Sequence, residues 1–392
     1  MSSVQQVSGN QLTLLKNGTE YFPQLRADID AAQHSIYLEI YIFSADQTGR
    51  MIADALKRAA ARDVVVRVML DGYGSAGLPQ YWVEDLSAAG VEVQWFRKNI
   101  SPLTLRRGRL RRLHRKLVVL DGEIAFVGGI NIIDDVPEHA DFSAPRLDYA
   151  VRVRGRVAGE IHRSMRHLWG AVSWANFHRR IRTFNLRRIR LKKPPDKRHV
   201  AFVQRDNVRH RRDIERAYLR AIVGAQHEII LANAYFIPGR VFRRALMQAA
   251  RRGVRVVLLL QGRVEYRLQH YATHALYERL LDSGVEIFEY QRSYLHAKVA
   301  VVDGKWATVG SSNIDPYSLW LAREANLTVH DAAFCTALRA SLLDEMENGS
   351  RRVDPSVWRK QGLWLRFMTR ASYGLVRLLA GLVGYGSGRD GV

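Results

Sequence analysis

Two histidines stand in the same short pattern in two distant parts of the chain. His114-Arg-Lys116-Leu-Val-Val-Leu-Asp121 leads to Gly128-Gly129-Ile-Asn131, and His296-Ala-Lys298-Val-Ala-Val-Val-Asp303 leads to Gly310-Ser311-Ser-Asn313. Both copies read His-x-Lys-x4-Asp and then Gly-small-x-Asn. Alternate residues of a strand face one side, so each His and Lys is expected to point into one pocket, anchored by the apolar residues that follow. The glycines permit close backbone approach, and Asn adds an amide donor. Each copy thus supplies an imidazole, a cation and a neutral donor. Two copies facing one another suit a phosphodiester. Cations and amides offset charge building on the non-bridging oxygens, while one imidazole attacks phosphorus and the other protonates the leaving oxygen. Each imidazole also needs an acid on its other nitrogen. Asp148, before Tyr-Ala-Val-Arg-Val, and Glu324, before Ala-Asn-Leu-Thr-Val, are the candidates at matching places.

The elements that must position these residues repeat as well. Ala32-Gln-His-Ser-Ile-Tyr-Leu matches Ala225-Gln-His-Glu-Ile-Ile-Leu, the stretch Ala59 to Gly72 matches Ala249 to Gly262, and Gly90-Val-Glu-Val matches Gly284-Val-Glu-Ile. A period this long is a domain duplication, because solenoid repeats run to about 20–50 residues. Ile36–Phe43 and Glu228–Phe236 read as strands, Gly49–Ala61 and Val241–Arg252 as amphipathic helices, and Val64–Leu70 and Val254–Leu260 as buried parallel strands. Alternating strands and helices imply an α/β fold in each half. The expected organisation is a first domain over 9–178, a basic linker over 179–199 containing Pro194-Pro195, a second domain over 200–345, and a basic tail over 346–392.

The doubled pattern resembles the paired HKD motifs of the phospholipase D superfamily. That resemblance implies two similar α-β-α sandwich domains with the active site at their interface, and a covalent phosphohistidine intermediate without metal or other cofactor. It gives His114 the nucleophile's role and His296 acid/base duty. Lys116, Lys298, Asn131 and Asn313 match phosphate-holding positions. Asp121 and Asp303 match the motif aspartates, expected to be structural, and Asp148 and Glu324 match the histidine-orienting acids. Further segments resemble the bacterial cardiolipin synthases of the B type: Gly9 to Leu15, Glu39-Ile-Tyr-Ile-Phe43, Leu70 to Ser75, Arg205-Asp-Asn207, Ala232 to Phe236, Pro238-Gly, and Gly310 to Leu319. The implied reaction moves a phosphatidyl group from one phosphatidylglycerol to another and releases glycerol. With water as acceptor the same residues give a phospholipase, and a nuclease is the more distant alternative.

The net charge of +22 draws in polyanions, either nucleic acid or an anionic membrane. No nucleic-acid module or aromatic stacking pattern appears, so an anionic phospholipid membrane is the expected partner. Met1 to Asn10 carries no apolar signal core, and no run of about 18 apolar residues occurs, so the expected location is peripheral, on the cytoplasmic face of a bacterial inner membrane. The single cysteine, Cys335, suits a reducing compartment. In the tail, at about 100° per residue, Arg359, Arg366, Arg370 and Arg377 fall in one sector. Trp364, Phe367, Met368, Leu375, Leu378, Leu379 and Leu382 fall opposite. Two readings remain open for such a helix: an interfacial anchor or packing on the protein's own core. Arg106 to Arg112, just before His114, reads either as a headgroup-capturing segment or as a solvated loop. His162, His167, His178, His270 and His274 read as structural or surface residues, and no metal-ligand cluster stands out.

Overall fold

The computed structural model describes residues 4–7, 9–98, 111–177, 199–206, 209–315, 322–359 and 362–384. Nearly all of the basic linker and most of Arg106–Arg112 lie outside the described residues. The strands are β1 (Val4–Val7), β2 (Asn10–Lys16), β3 (Ser35–Ile40), β4 (Val65–Asp71), β5 (Glu92–Phe96), β6 (Arg112–Leu113), β7 (Leu117–Leu120), β8 (Ile124–Gly128) and β9 (Tyr149–Gly155) in the first half. The second half holds β10 (Val200–Arg205), β11 (Glu228–Asn233), β12 (Arg255–Gln261), β13 (Glu286–Tyr290), β14 (Lys298–Val302), β15 (Trp306–Gly310), β16 (Ala322–Val329) and β17 (Ser350–Arg352).

These strands make two sheets. The first is eight-stranded in the order β1-β2-β9-β8-β7-β3-β4-β5; the second runs β10-β16-β15-β14-β11-β12-β13-β17. The mixture of directions follows from the connections. The helices Gln47–Ala60 and Arg240–Arg251 carry the chain between β3 and β4 and between β11 and β12, which are parallel. Such crossovers need a long connection. The tight turns after β7 and β14 make antiparallel hairpins instead. In each turn an Asp-Gly pair takes left-handed backbone, Asp121 and Gly122 at φ 53° and 72°, Asp303 and Gly304 at 51° and 62°. Each aspartate then clamps the start of a neighbouring strand. Asp121 accepts from the backbone N–H groups of Gln33, His34 and Ser35, and Asp303 from those of Gln226, His227 and Glu228, all at 2.8–2.9 Å.

One apolar cluster joins both halves. It takes in Val127 and Val151 of the first sheet, Val309 and Leu327 of the second, and the helices Arg156–Phe177 and Ala332–Gly349. Separate clusters fill the outer faces beneath the remaining helices. Each half is therefore a sheet between helical layers, and the two pack through their inner faces. The second sheet extends past residue 345, because β17 pairs with β13. The predicted strand across the His-x-Lys motif is corrected. β7 begins at Leu117 and β14 at Lys298, because the motif backbone just ahead of them bonds across to the other half.

The tail helix forms over Leu363–Gly384 and resolves its two readings with a third stripe. Thr369, Ser372 and Val376 are buried, spaced three and four apart, and the helix packs on the helix Arg267–His274. Tyr373 accepts from Arg243 at 3.2 Å, and Val376 closes over Ile237 and Ala272. The apolar stripe is left outside: Trp364, Phe367, Leu375 and Leu378 are exposed, the first at 73%. Among the described residues no helix is long and apolar enough to cross a membrane.

Replacing Asp303 with Ala strips an acceptor from three backbone donors. We expect a loss of about 1–3 kcal/mol in stability, read as a lower midpoint in thermal unfolding. An unchanged midpoint would contradict the clamp.

Candidate active site

The chain reaches His114 and His296 by crossing between sheets. β6 leaves its own sheet and pairs parallel with β16, Arg112 opposite Ala322 and Leu113 opposite Arg323. The N–H of His114 then donates to the carbonyl of Arg323 at 3.0 Å. The second half answers in kind. Leu295 bridges Leu147, and the N–H of His296 donates to the carbonyl of Leu147 at 2.8 Å. Each histidine is thereby laid against the residue preceding the other half's acid.

The side chains complete the exchange. His114 Nδ1 lies 3.0 and 3.1 Å from the carboxylate oxygens of Glu324, and His296 Nδ1 lies 2.6 Å from Asp148 Oδ2. A proton on each Nδ1, facing the carboxylate, leaves each Nε2 with its lone pair toward the site. The acids are themselves held. Asp148 Oδ1 accepts from the N–H of Tyr149, and Ser311 Oγ donates to Glu324 at 2.5 Å. At the position matching Ser311, Gly129 lacks a side chain, and a Cβ there would lie 2.3 Å from Asp148 Oδ1. The two small residues after the motif therefore make room for one acid and bind the other.

Both lysines are buried at this junction. Lys116 Nζ donates to the carbonyl of His114 at 2.9 Å, and Lys298 Nζ donates to the carbonyl of His296 and lies 3.9 Å from Asp148. Burial, and then Lys298, pushes Lys116 down to about 7; burial lowers Lys298 to about 8. Desolvation favours the uncharged form, and the neighbouring cation adds to it. Burial also lowers His114, against the opposing pull of Glu324, and lowers His296 well below its ordinary value with help from both lysines. Burial raises Asp148 to about 6. An anion placed beside the two lysines would favour their charged forms and be held by them.

Asn131 and Asn313 are both buried beside the motif loops. Asn131 Oδ1 accepts from the N–H of Ile42 at 3.2 Å, and Asn313 Oδ1 is buried without a hydrogen-bond partner among the described residues. Asp121 and Asp303 stand apart from this cluster, at the strand clamps. Several residues escaped the sequence reading. Asp71 Oδ2 and Gln261 Oε1 accept from the N–H groups of Leu113 and Leu295, both at 2.7 Å, fixing the residue before each histidine. Their matching places at the ends of β4 and β12 were the available signal. Arg115, the middle residue of the first motif, is fully buried and donates to Glu39. Tyr41 lays its ring edge-on to His114, centroids 4.7 Å apart, with the Lys116 ammonium 5.1 Å from the same ring. Among the described residues no group of three or more His, Cys, Asp or Glu is arranged to hold a metal ion.

Residues 25–139 and 218–346 match the family model described as cardiolipin synthase, PLD-like domain. The chain is 40% identical to cardiolipin synthase B of Salmonella typhimurium, covering 96% of this chain and 90% of that protein. It is 32% identical to cardiolipin synthase A of Klebsiella pneumoniae, over 94% of this chain and 75% of that one. Among solved structures, phosphatidylserine synthase from Haemophilus influenzae superposes with a TM-score of 0.69 at 12% identity, over 95% of both chains, a likeness of fold.

Because the Glu324 carboxylate favours the imidazolium of His114, neutralising it removes that support. Glu324→Gln should titrate His114 at lower pH than in the parent, followed by histidine ring NMR. A higher or unchanged midpoint would contradict the pairing.

Proposed function

This chain belongs to the cardiolipin synthase, PLD-like domain family, and from that premise we propose that it joins two phosphatidylglycerol molecules into cardiolipin through a phosphohistidine on His114. The exchanged histidine–carboxylate pairs are the observation that carries this reading. They hold two imidazoles through Nδ1, which leaves Nε2 as the reacting nitrogen, beside two buried lysines. Lowered in basicity, His114 is unprotonated at neutral pH and ready to attack. Its Nε2 bonds to phosphorus as the phosphorus–oxygen bond to glycerol breaks, and His296 gives its proton to the departing oxygen. Burial first, and then the two lysines, lower His296 in the empty site; a phosphodiester between Lys116 and Lys298 offsets the cationic part and favours the protonated form. Substrate binding thus arms the acid. In the second step His296 takes the proton of an acceptor hydroxyl, the new phosphorus–oxygen bond forms, and the bond to His114 breaks. One phosphodiester replaces another, so no nucleotide enters. Asn131 and Asn313 are assigned to the phosphate oxygens, with Asp148 and Glu324 orienting the imidazoles.

Incubation with phosphatidylglycerol vesicles, with products resolved by mass spectrometry, tests this. We expect cardiolipin and glycerol from the parent, and neither product nor trapped phosphoenzyme from His114→Ala. Normal turnover by the variant would sink the nucleophile's assignment, and phosphatidic acid alone from the parent would make the protein a phospholipase.

The tail supports a peripheral membrane location. Its docking stripe leaves Trp364, Phe367, Leu375 and Leu378 in solvent beside the exposed Arg370 and Arg377. An apolar face flanked by arginines suits the surface of an anionic bilayer. Replacing Trp364 and Phe367 together with Ser should weaken sedimentation with phosphatidylglycerol vesicles on the order of tenfold or more, with unchanged thermal unfolding. Parent-like binding would reject the helix as the anchor.

A further inference from the structure

One buried pair of charges takes no part in the transfer. Arg115, between His114 and Lys116, is committed to β3. Its Nη2 lies 2.8 and 2.6 Å from the two carboxylate oxygens of Glu39, and both side chains are buried. Two residues on from Glu39, Tyr41 meets the ring of His114. β3 and its continuation thus touch two successive residues of the motif.

The other arm of Arg115 reaches toward the second half. Nη1 donates to Ser164 Oγ of the helix Arg156–Phe177 at 3.0 Å, and Ser164 Oγ donates to Gln204 Oε1 of β10 at 2.8 Å. β10 lies beside β16, with Gln204 opposite Ala325 and Arg205 opposite Glu324. The motif segment is therefore tied to these two strands at adjacent residues. His114 bonds to Glu324 itself, and Arg115 is linked through Ser164 to the strand alongside. Two adjacent ties restrain a tilt of the segment that one tie would allow.

The fold does not need this pair. Glu39 stands opposite Leu117 and Ala232 opposite Val299, each the residue after a motif lysine, so Ala232 and Ala297 hold the matching places in the second half. There the same strand pairing forms with two methyl groups. Buried ion pairs seldom add net stability over apolar residues of like size. The pair stands beside one histidine only, the one that must make and break a bond to phosphorus. We propose that Arg115 is a positioning residue for His114: gripped by Glu39 and linked through Ser164 to Gln204, it holds the imidazole where Nε2 can reach phosphorus in the first step and leave it in the second. This role rests on the reading of His114 as the nucleophile. His296 moves only a proton and tolerates more slack.

Glu39→Leu combined with Arg115→Met removes both charges at similar volume. Arg115→Met alone would strand Glu39, which burial already raises against the pull of Arg115, so the double variant is the one to compare. Ser164→Ala, which cuts only the link to Gln204, is the second. Full chains act on phosphatidylglycerol vesicles, with cardiolipin and phosphatidic acid both counted and thermal unfolding as the check on folding. In the folded double variant kcat should fall about tenfold or more with KM unchanged. In Ser164→Ala it should fall in the same sense by less. A purely structural pair would move the unfolding midpoint and leave kcat of the folded chain alone. Parental kcat in a folded double variant, or in Ser164→Ala where the double variant does not fold, would overturn the positioning role, as would a raised KM at parental kcat. Normal turnover by His114→Ala would overturn the nucleophile and this role with it. A parent that makes phosphatidic acid without cardiolipin would overturn the synthase reading alone, and the same comparison of kcat then judges Arg115 on hydrolysis.

Discussion

A buried imidazole beside two buried lysines is tolerable only with a carboxylate against it, and here each half keeps the carboxylate that the other half's histidine uses. Glu324 serves His114 and Asp148 serves His296. The rest of the architecture serves this exchange. β6 abandons its own sheet for β16, and Leu295 bridges Leu147. The inner faces of the two sheets share one apolar cluster, so the backbone straps cannot drift without breaking a core. The same burial that makes the pairs necessary also lowers the basicity of both lysines and both histidines.

Duplication has preserved contacts while changing the groups that make them. Asp71 and Gln261 hold equivalent backbone donors, one as a carboxylate and one as an amide. Gly129 clears space for one acid, and Ser311 hydrogen-bonds the other. Glu39 and Arg115 form a buried ion pair in the first half where Ala232 and Ala297 stand in the second. Tyr41 lies edge-on to His114, and Ala234 holds the matching place in the second half. The scaffold is nearly symmetric and the side chains around the two histidines are not.

Much of this was legible in the residues. Strands and helices of both halves lie within one to three residues of the apolar runs that predict them, because buried parallel strands and amphipathic helices leave strong periodic marks. The motif residues converge apart from Asp121 and Asp303, whose carboxylates hold strand starts. The crossed pairing was hidden, since no local pattern links Asp148 to His296 or Glu324 to His114. The strand through the motif was over-read because alternation looks the same whether the backbone bonds to its own sheet or to another. The tail's docking stripe escaped because Thr369, Ser372 and Tyr373 do not register as apolar.

The donated strand β6 also bears on how the chain is made. As the first half leaves the ribosome, Arg112 and Leu113 have no edge to join, for Ala322–Val329 is not yet translated. His114 emerges without its acid, and Asp148 without the imidazole it serves. A partly synthesised chain thus carries His114 in an unassembled setting. The paired site is therefore complete only once the second half has folded against the first.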